Sequence, residues 1–245
     1  MAQYISKILL NSGLPEDSYL LRIPAIKYLI NNTGLDFNSN LTVLTGENGT
    51  GKSTLLEAIA IAFGFNPEGG TLNFSFTTAD THSNLADFIT IARRDYPKDG
   101  FFLRAESFYN AASYIDDIYS LEREMNIGTP YGSISLHNQS HGESFISLVK
   151  ERFAGNGLYI LDEPEAALSP MRTLILLKHI NALLQNNSQF IIATHSPIIM
   201  AYPDAQVLEL SQNGIKTVNY EDTEHYKVFK SFFNDSECIF KHLFK

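Results

Sequence analysis

The sequence has a single cysteine, few basic residues and no long apolar run, and each shortage excludes a class of protein. Cys238 is the only cysteine, which excludes an intramolecular disulfide and a cluster of thiolate metal ligands. Arg22, Pro24 and Lys178 interrupt the apolar stretches, so these stay short of the about 18 uninterrupted apolar residues of a membrane helix. We therefore expect a chain without membrane insertion.

The charge balance and the N-terminal segment exclude or disfavour further classes of protein. Eighteen basic against 27 acidic residues give a net charge of −9, which is unfavourable for binding a polyanion without a local basic patch. Short basic clusters such as Arg93-Arg94 are typical of solvated surface, so direct DNA binding stays an open question. The N-terminal segment lacks the basic and apolar parts of a secretory signal, and we expect a cytoplasmic protein.

The order of the apolar segments predicts an α/β fold with a parallel sheet. Residues 41–45 form a short apolar run, and 53–63 carry apolar residues at helical spacing. The runs at 158–161 and 190–193 are typical of strands covered on both faces, and 169–184 has a helical period between them. This order of strand, helix and strand predicts a βαβ unit.

The organisation along the chain indicates one domain with an insertion. The sequence contains no internal repeat and no linker long enough to separate two independent domains. We expect a single domain over 1–245, with a mostly helical subdomain inserted at about 65–150. The further expected elements are a helix at 85–94, a strand at 100–105, a helix at 111–125, strands at 206–210 and 215–220, and two short C-terminal helices.

Residues 46–53, GENGTGKS, fit the phosphate-loop pattern G-x-x-x-x-G-K-[ST] between a predicted strand and a predicted helix. Glycines let backbone N–H groups surround a phosphate, Lys52 reaches the terminal phosphates of ATP, and Ser53 can bind Mg²⁺. The flanking strand and helix disfavour the alternative, an ordinary glycine-rich turn. The predicted ATP ligands are Gly46, Glu47, Asn48, Gly49, Thr50, Gly51, Lys52, Ser53 and Thr54.

Two carboxylates, Asp162 and Glu163, follow the apolar run at 158–161. Adjacent residues at the end of a strand point to different sides, so we expect the two acids to have separate tasks. Asp162 is predicted to hold Mg²⁺ through water, and Glu163 to face the γ-phosphate and polarise the attacking water. The plainer interpretation, two solvated acids in a turn, explains neither the apolar run nor Pro164.

A histidine, His195, follows the other apolar run at 190–193. The carboxyl ends of parallel strands lie at one edge of a sheet, where α/β proteins bind ligands. A lone histidine is usually structural, but one beside a phosphate loop is well placed to contact the γ-phosphate and the water. We therefore predict that His195 is catalytic together with Glu163.

These motifs together resemble the ATP-binding cassette family, and within it the soluble, non-transport ATPases of the chromosome-maintenance, break-repair and overcoming-lysogenization type. The resemblance rests on GENGTGKST, LYILDEPEAALSP and IIATHSP, in the family's order and approximate spacing. It implies hydrolysis of ATP with Mg²⁺ and a head-to-tail homodimer that encloses two ATP molecules. It also implies that 167–169 contact the second subunit and that His195 is the family's switch histidine.

The resemblance further implies a serine-glycine signature that closes over the γ-phosphate of the opposite subunit. The segment QSHGES at 139–144 aligns with it, so Ser140, Gly142 and Glu143 are expected to contact ATP in trans. Glu143 stands where the common transporter version has a second glycine. A helix cap formed by Ser140, with Glu143 three residues later, fits these residues equally well, and both interpretations can hold.

Two further family features have no clear counterpart in this sequence. The loop in which a glutamine contacts Mg²⁺ aligns with FFLRAESF at 101–108, which contains no glutamine. Glu106 is the candidate metal ligand there, and a surface acid at the end of a strand is an equally good interpretation. The aromatic residue that stacks on adenine has two candidates, Tyr19 and Tyr28.

The functional hypotheses differ in what the ATPase acts on. The whole chain also resembles a group of standalone bacterial predicted ATPases that share GFNPEGG, DGFFLRAESFYN and TEHY. The first hypothesis is an ATPase acting with an effector or a nucleic-acid-processing partner, for instance in repair, mobile-element control or phage defence. The lack of long heptad repeats between Ser53 and Ser140 excludes bridging of DNA by coiled-coil arms. The alternatives are the ATPase subunit of a membrane transporter and a nucleotide-dependent sensor that scarcely hydrolyses ATP.

Overall fold

The structure is a computed structural model that describes residues 3–11, 13–72, 83–104 and 141–244, and of 141 and 142 only the backbone. The strands are β1 (Ile5–Leu10), β2 (Leu35–Asp36), β3 (Leu41–Gly46), β4 (Gly70–Thr71), β5 (Ile89–Arg93), β6 (Asp99–Arg104), β7 (Gly157–Asp162), β8 (Gln189–Ala193), β9 (Gln206–Ser211) and β10 (Gly214–Val218). The helices are α1 (Pro24–Asn31), α2 (Lys52–Phe63), α3 (His141–Arg152), α4 (Pro170–Gln185), α5 (Pro197–Met200), α6 (Glu224–Asn234) and α7 (Ser236–Leu243). None of these helices combines the length and the apolar character that crossing a lipid bilayer requires.

The fold is α/β, as the sequence predicts, and its larger sheet has a parallel centre between two antiparallel edges. Within the described residues this sheet has seven strands in the order β10-β9-β3-β8-β7-β6-β4. Neighbouring strands from β9 to β6 are parallel, whereas β10 and β4 pair antiparallel with β9 and β6. The carboxyl edge of β3, β8 and β7 is therefore the expected place for a ligand.

Two separate apolar cores cover the two faces of the larger sheet. Along β7, Leu158 and Ile160 belong to the core that includes side chains of α1 and α2. Tyr159 and Leu161 belong to the opposite core, which includes side chains of α3 and α4. All four side chains are fully buried. Burial on both faces explains why these strands are continuous apolar runs and do not alternate with polar residues.

Two buried glutamines join the larger sheet to a small antiparallel sheet of the order β2-β1-β5. The Oε1 atom of Gln189 accepts hydrogen bonds from the backbone N–H of Tyr4 and of Ile5, each at 2.8 Å, and its Nε2 donates to Ile5 O at 2.8 Å. The Nε2 atom of Gln206 donates to Asp36 O at 2.9 Å. The amides therefore satisfy backbone groups that a buried junction would otherwise leave unpaired.

The strands and helices predicted around the phosphate loop are confirmed. The runs at 41–45, 158–161 and 190–193 lie within β3, β7 and β8, and the helical periods at 53–63 and 169–184 coincide with α2 and α4 to within one residue at each end. The strands predicted after residue 205 are β9 and β10, and the two C-terminal helices are α6 and α7. The sequence pattern was thus sufficient for the elements that carry the predicted motifs.

The helix predicted at 85–94 is wrong. The segment begins as a short 3₁₀ helix (Asn84–Phe88) and continues as β5, which pairs antiparallel with β1. Ile89 is buried and the next residue, Thr90, is exposed, an alternation that suits the edge of a half-covered sheet. Tertiary pairing with β1 therefore decided the conformation of a segment whose apolar spacing also fits a helix.

The predicted insertion at about 65–150 is described only in part. Its described residues contribute β4 and β6 to the larger sheet, β5 to the small sheet, and the helix α3. The helix predicted at 111–125 lies outside the described residues. The boundaries and the helical character of the insertion therefore stay predictions.

Candidate functional site

The phosphate loop (residues 46–53), the acid pair and His195 come together at the carboxyl edge of the larger sheet. The strand β3 leads into the loop, and its Leu44 pairs with Ala193 of β8. The same Ala193 pairs with Asp162 at the end of β7. Because β3, β8 and β7 are consecutive neighbours, the residues that follow them in the chain lie side by side.

Two glycines of the phosphate loop occupy positions in which a larger residue would be strained. Gly46 has a φ of +135°, and a Cβ atom there would lie 2.0 Å from Leu210 O. Gly51 has a φ of +101° and caps α2, and a Cβ atom there would lie 2.4 Å from Cγ2 of Ile23. Positive φ angles and this crowding require glycine. The loop consequently turns tightly from β3 into the N-terminus of α2, an arrangement that favours anions.

Lys52 places a buried positive charge under this loop. Its Nζ donates hydrogen bonds to Gly46 O at 2.7 Å and to Glu47 O at 3.0 Å. The residue is only 5% exposed. Burial lowers the pKa of Lys52, and the negative charges of Glu163 and Asp162 oppose this shift. A cation with so little water around it is well suited to bind phosphate oxygens.

Ser53 and Asp162 form an oxygen pair beside the lysine. The hydroxyl of Ser53 donates to Oδ1 of Asp162 at 3.1 Å, and Asp162 is 9% exposed. A hydroxyl and a carboxylate are oxygen ligands of the kind that Mg²⁺ uses together with substrate phosphates. No group of three or more histidine, cysteine, aspartate or glutamate side chains suited to a metal occurs in the described ranges. The pair therefore fits a Mg²⁺ ion that takes its other ligands from phosphate and water.

Glu163 turns away from Asp162. It has a φ of +48°, the left-handed conformation, and its backbone N–H donates to Ala193 O at 2.9 Å. This hydrogen bond fixes the sharp turn at the end of β7. The side chain is 43% exposed, and its Oε1 lies 3.7 Å from Nε2 of His195. The two acids thus face different partners, one toward Ser53 and the other toward His195.

His195 is half-buried and has contacts on both sides of its ring and along its backbone. Its Nδ1 lies 3.0 Å from Nε2 of His225, and its backbone N–H donates to Oε1 of Glu165 at 2.6 Å. The pKa of His195 is lowered mainly by burial, then by the charges of Lys52 and His225, with Glu163 and Glu165 acting in the opposite direction. The lowered pKa favours the neutral form of the His195 imidazole.

Two residues of the site, Glu165 and His225, were not predicted from the sequence. The Oε1 atom of Glu165 accepts hydrogen bonds from the backbone N–H of both His195 and Ser196, at 2.6 and 3.1 Å. The carboxylate therefore holds the turn that begins α5 after β8. Its position two residues after Glu163 was a signal, but the partners of a turn residue depend on the neighbouring strand.

The location of His225 depends on the fold of the C-terminal segment. It lies 30 residues after His195 in the chain and belongs to α6. The buried Thr223 caps this helix by accepting a hydrogen bond from the N–H of Tyr226 at 3.2 Å. The two short C-terminal helices were predicted from the sequence, but the proximity of His225 to the site was not.

The structure describes only some of the remaining predicted site residues. Ser140 and Glu106 lie outside the described residues, and of Gly142 only its backbone place in α3 is described. Glu143 forms an ion pair of 2.9 Å with Arg172 of the same chain. Within this chain, α3 and α4 are thus joined at their N-terminal ends.

The adenine candidates and the predicted subunit-contact loop lie on different parts of the surface. Tyr28 packs against Gly214 of β10, whereas Tyr19 is exposed. Ala167 ends a 3₁₀ helix (Pro164–Ala167), Leu168 and Ser169 connect it to α4, and the side chain of Ser169 caps α4. The adenine contact is not assigned by these positions.

The chain is similar to known ATP-binding proteins. A family model described as an AAA domain matches residues 21–196. The tungstate uptake system ATP-binding protein TupC of Campylobacter jejuni is 26% identical over 242 residues, covering 83% of this chain and 67% of that protein. The cytochrome c biogenesis ATP-binding export protein CcmA of Rhizobium johnstonii is 29% identical over 170 residues, covering 64% and 75%.

A solved structure described as an inward-facing metal-chelate type ABC transporter covers 95% of this chain and 90% of its own, with 16% identity and a TM-score of 0.49. This likeness is too weak to bear on function. The family match contains the phosphate loop, the acid pair and His195. Together with the two curated relatives, it supports an ATP-binding, ABC-like ATPase domain.

Proposed function

Because the chain belongs to the AAA domain family, we propose that it binds ATP at the phosphate loop and hydrolyses it with Mg²⁺. One observation carries the proposal, the convergence of Lys52, the Ser53–Asp162 pair and the Glu163–His195 pair at one sheet edge. The transfer of a phosphoryl group requires little covalent chemistry from the protein and depends on positioning and charge. The three groups would together supply this positioning and charge.

Lys52 supplies the charge that binds the triphosphate. Its ammonium group is held by two loop carbonyls, and burial lowers its pKa. Negatively charged phosphate oxygens are stronger partners for a desolvated cation than neutral carbonyls. Ser53 and Asp162 would hold Mg²⁺, which when bound neutralises the phosphates and orients them for attack.

Glu163 and His195 act on the attacking water and the terminal phosphate. The carboxylate of Glu163 is partly exposed, so a water molecule can reach it, and its turn directs it away from Asp162. It orients that water and accepts its proton as the water oxygen bonds to the terminal phosphorus. The bond from that phosphorus to the bridging oxygen breaks in the same step, and ADP and phosphate are the products. His195 is neutral and donates a hydrogen bond to the terminal phosphate from the nitrogen that faces Glu163.

We also propose that two copies associate head to tail with ATP between them. Helix N-termini favour phosphate, and the Glu143–Arg172 ion pair holds the N-terminus of α3 beside that of α4. Ser140, Gly142 and Glu143 of one copy would then contact the nucleotide of the other, and 167–169 would line the same interface. Binding of ATP favours the closed pair, and hydrolysis reopens it.

The cellular role that we favour is that of the non-transport branch, an ATPase acting with an effector or a nucleic-acid-processing partner in the cytoplasm. The motif resemblance and Glu143 in place of a second glycine support it. The whole chain, 1–245, would act as one domain, with residues of about 65–150 as its inserted part. The C-terminal segment that carries His225 also belongs to this unit, because His225 contacts His195.

The second candidate is the ATPase subunit of a membrane transporter. The observation that favours it is the similarity to TupC, an ATP-binding protein of a tungstate uptake system, over 83% of this chain. The similarity to CcmA, an ATP-binding export protein, also favours the transporter candidate. A sensor that binds ATP with little hydrolysis is the third candidate, because the proposed Mg²⁺ ligand Glu106 replaces the usual glutamine.

The proposed activity is tested by steady-state ATP hydrolysis and by molecular mass in solution with and without ATP. We expect Lys52→Ala to lose ATP binding, whereas Lys27→Ala, which changes an exposed lysine of α1, serves as the matched control. Glu163→Gln should bind ATP, lose at least about 100-fold of the hydrolysis rate, and double its mass with ATP. A wild type that binds ATP without hydrolysis or association contradicts the proposal.

The partner is tested by capture from native cells with the Glu163→Gln variant. Blocked hydrolysis should hold the closed pair and any protein that recognises it. Capture of an integral membrane protein supports the transporter candidate, and capture of a nucleic-acid-processing or effector protein supports the role that we favour. Capture of nothing in the presence of ATP favours the sensor.

A further inference from the structure

The imidazole rings of His195 and His225 are in direct contact. Nδ1 of His195 lies 3.0 Å from Nε2 of His225. A hydrogen bond between two neutral imidazoles needs one nitrogen that donates and one that accepts. When both rings are neutral, the pair has two arrangements: either His225 donates from Nε2 to His195, or His195 donates from Nδ1 to His225.

The outer nitrogen of His225 favours the first arrangement. Nδ1 of His225 is buried and has no hydrogen-bond partner among the described residues. If His195 donated, this nitrogen would carry a hydrogen, and a buried N–H without an acceptor is rare and costly. If His225 donates, the same nitrogen is only an acceptor, and unpaired acceptors are tolerated more readily.

The outer nitrogen of His195 leads independently to the same arrangement. Nε2 of His195 lies 3.7 Å from Oε1 of Glu163. When His225 donates, Nε2 of His195 carries its hydrogen and presents it to the carboxylate. In the other arrangement a nitrogen lone pair faces a negatively charged oxygen, which is repulsive.

We propose that His225 is a positioning residue that holds His195 in the tautomer with its hydrogen on Nε2. The proposal rests on the proposed function, in which His195 donates to the terminal phosphate. A neutral histidine can donate only from the nitrogen that carries its hydrogen. The tautomer that His225 stabilises presents a donor to the phosphate, and the other would present a lone pair to an anion.

The helix α6, which carries His225, is attached to the larger sheet next to the strand that leads into the phosphate loop. The backbone N–H of Glu224 donates to Oε1 of Glu209 on β9 at 3.1 Å. The strand β9 is the parallel neighbour of β3, and Glu209 pairs with Thr45 directly before the loop. His225 therefore approaches His195 from a helix anchored to the sheet, and it can keep its position before nucleotide binds.

The tautomer is measured in the full chain without nucleotide, by NMR correlation of ring nitrogens and carbon-bound ring hydrogens after ¹⁵N labelling of histidine. The variants His195→Gln and His225→Gln identify the two rings among the seven histidines. We expect a neutral His195 with its hydrogen on Nε2 in the wild type. A hydrogen on Nδ1 overturns the proposal, and this result does not depend on whether the chain hydrolyses ATP.

The functional consequence is measured as kcat and KM for ATP in matched variants. His225→Leu removes the donor, and we expect kcat to fall roughly 5- to 10-fold, the value of one hydrogen bond, with little change in KM. In His225→Gln the amide N–H replaces the donor and should restore most of kcat. His242→Leu, an exposed histidine of α7, is the control.

Equal kcat values for wild type, His225→Leu and His225→Gln overturn the positioning role. A wild type that does not hydrolyse ATP contradicts the proposed function instead, while the ring spectrum still decides the tautomer. The two failures are therefore distinguishable.

Discussion

The hydroxyl of Ser53 donates a hydrogen bond of 3.1 Å to Oδ1 of Asp162. This contact joins the first turn of α2 to the end of β7, two elements more than 100 residues apart in the chain. Through it, the helix that follows the phosphate loop and the strand that carries the acid pair share one hydrogen bond. Any cation between the two oxygens must be accommodated by both elements together.

Replacement of Ser53 by alanine should uncouple ATP binding from Mg²⁺. The wild type is expected to bind ATP at least about tenfold more tightly with Mg²⁺ than with a chelator. Ser53→Ala should bind equally in both conditions, because one of the two oxygen ligands is missing. Ser53→Thr keeps the hydroxyl and is the control. Isothermal titration calorimetry measures the Kd of ATP for each variant with Mg²⁺ and with a chelator. If Mg²⁺ tightens ATP binding in Ser53→Ala as much as in the wild type, the assignment of Ser53 as a Mg²⁺ ligand is contradicted.

Alanine should be tolerated at Gly49 better than at Gly51. Both have positive φ, +79° and +101°, so each substitution brings backbone strain of about 1–2 kcal/mol. A Cβ at Gly49 meets no atom within 4 Å, whereas one at Gly51 lies 2.4 Å from Ile23. We expect Gly51→Ala to lose about 1–3 kcal/mol more of the unfolding free energy. Urea unfolding measures the unfolding free energy of each variant. The double variant Gly51→Ala, Ile23→Ala should recover part of the free energy that Gly51→Ala loses, because the crowding side chain is removed.

Glu165 should matter for stability more than its neighbour Glu163. Glu165→Ala leaves the backbone N–H of His195 without its carboxylate acceptor, which costs about 1–3 kcal/mol of the unfolding free energy. Glu163→Ala removes a side chain that is 43% exposed, and it should change the unfolding free energy by less than about 0.5 kcal/mol. Thermal or urea unfolding compares the pair. Equal losses in both variants would refute a role for Glu165 in holding the turn.

The free energy of unfolding should decrease when the pH falls below about 6.5, the ordinary pKa of histidine. Burial lowers the pKa of His195, and burial together with Lys150 and Lys178 lowers that of His179. The unfolded chain then binds more protons than the folded chain below this pH, so the unfolding free energy decreases as the pH falls toward the lowered values.

The comparison that isolates this effect is between the wild type and His179→Gln at pH 7.5 and pH 5.5. The variant should lose less unfolding free energy between the two pH values, because one histidine with a lowered pKa is gone. His179 is distant in sequence from the phosphate loop, and its replacement leaves the proposed catalytic groups in place. An equal loss in both chains would contradict the prediction.

The sequence was sufficient to predict the parts of the fold whose conformation depends on local pattern. The runs at 158–161 and 190–193 are buried on both faces, and such strands have a sequence pattern that few other elements share. The glycines of the phosphate loop were predictable because their backbone angles exclude other residues. The segment 85–94 was not predictable, because its apolar spacing fits both a helix and an edge strand.

In the candidate site, too, some residues were predictable from short motifs, whereas others depend on contacts that are distant in the chain. Lys52, Asp162 and Glu163 belong to short motifs in which neighbouring residues define the geometry. Glu165 and His225 act through partners about 30 residues away in the chain. Their orientation depends on how α5 packs after β8 and how α6 packs after β10, which no short pattern encodes.

The two glutamine bridges also set an order in which the chain can assemble. Gln189 lies 184 residues after Ile5, and Gln206 lies 170 residues after Asp36. Contacts with such a large separation form late, because the intervening chain has to be made and ordered first. During synthesis, β1 has no glutamine to bind until residue 189 has left the ribosome. The strand β1 can pair with β2 and β5 earlier, but its attachment to the larger sheet through Gln189 has to wait for β8.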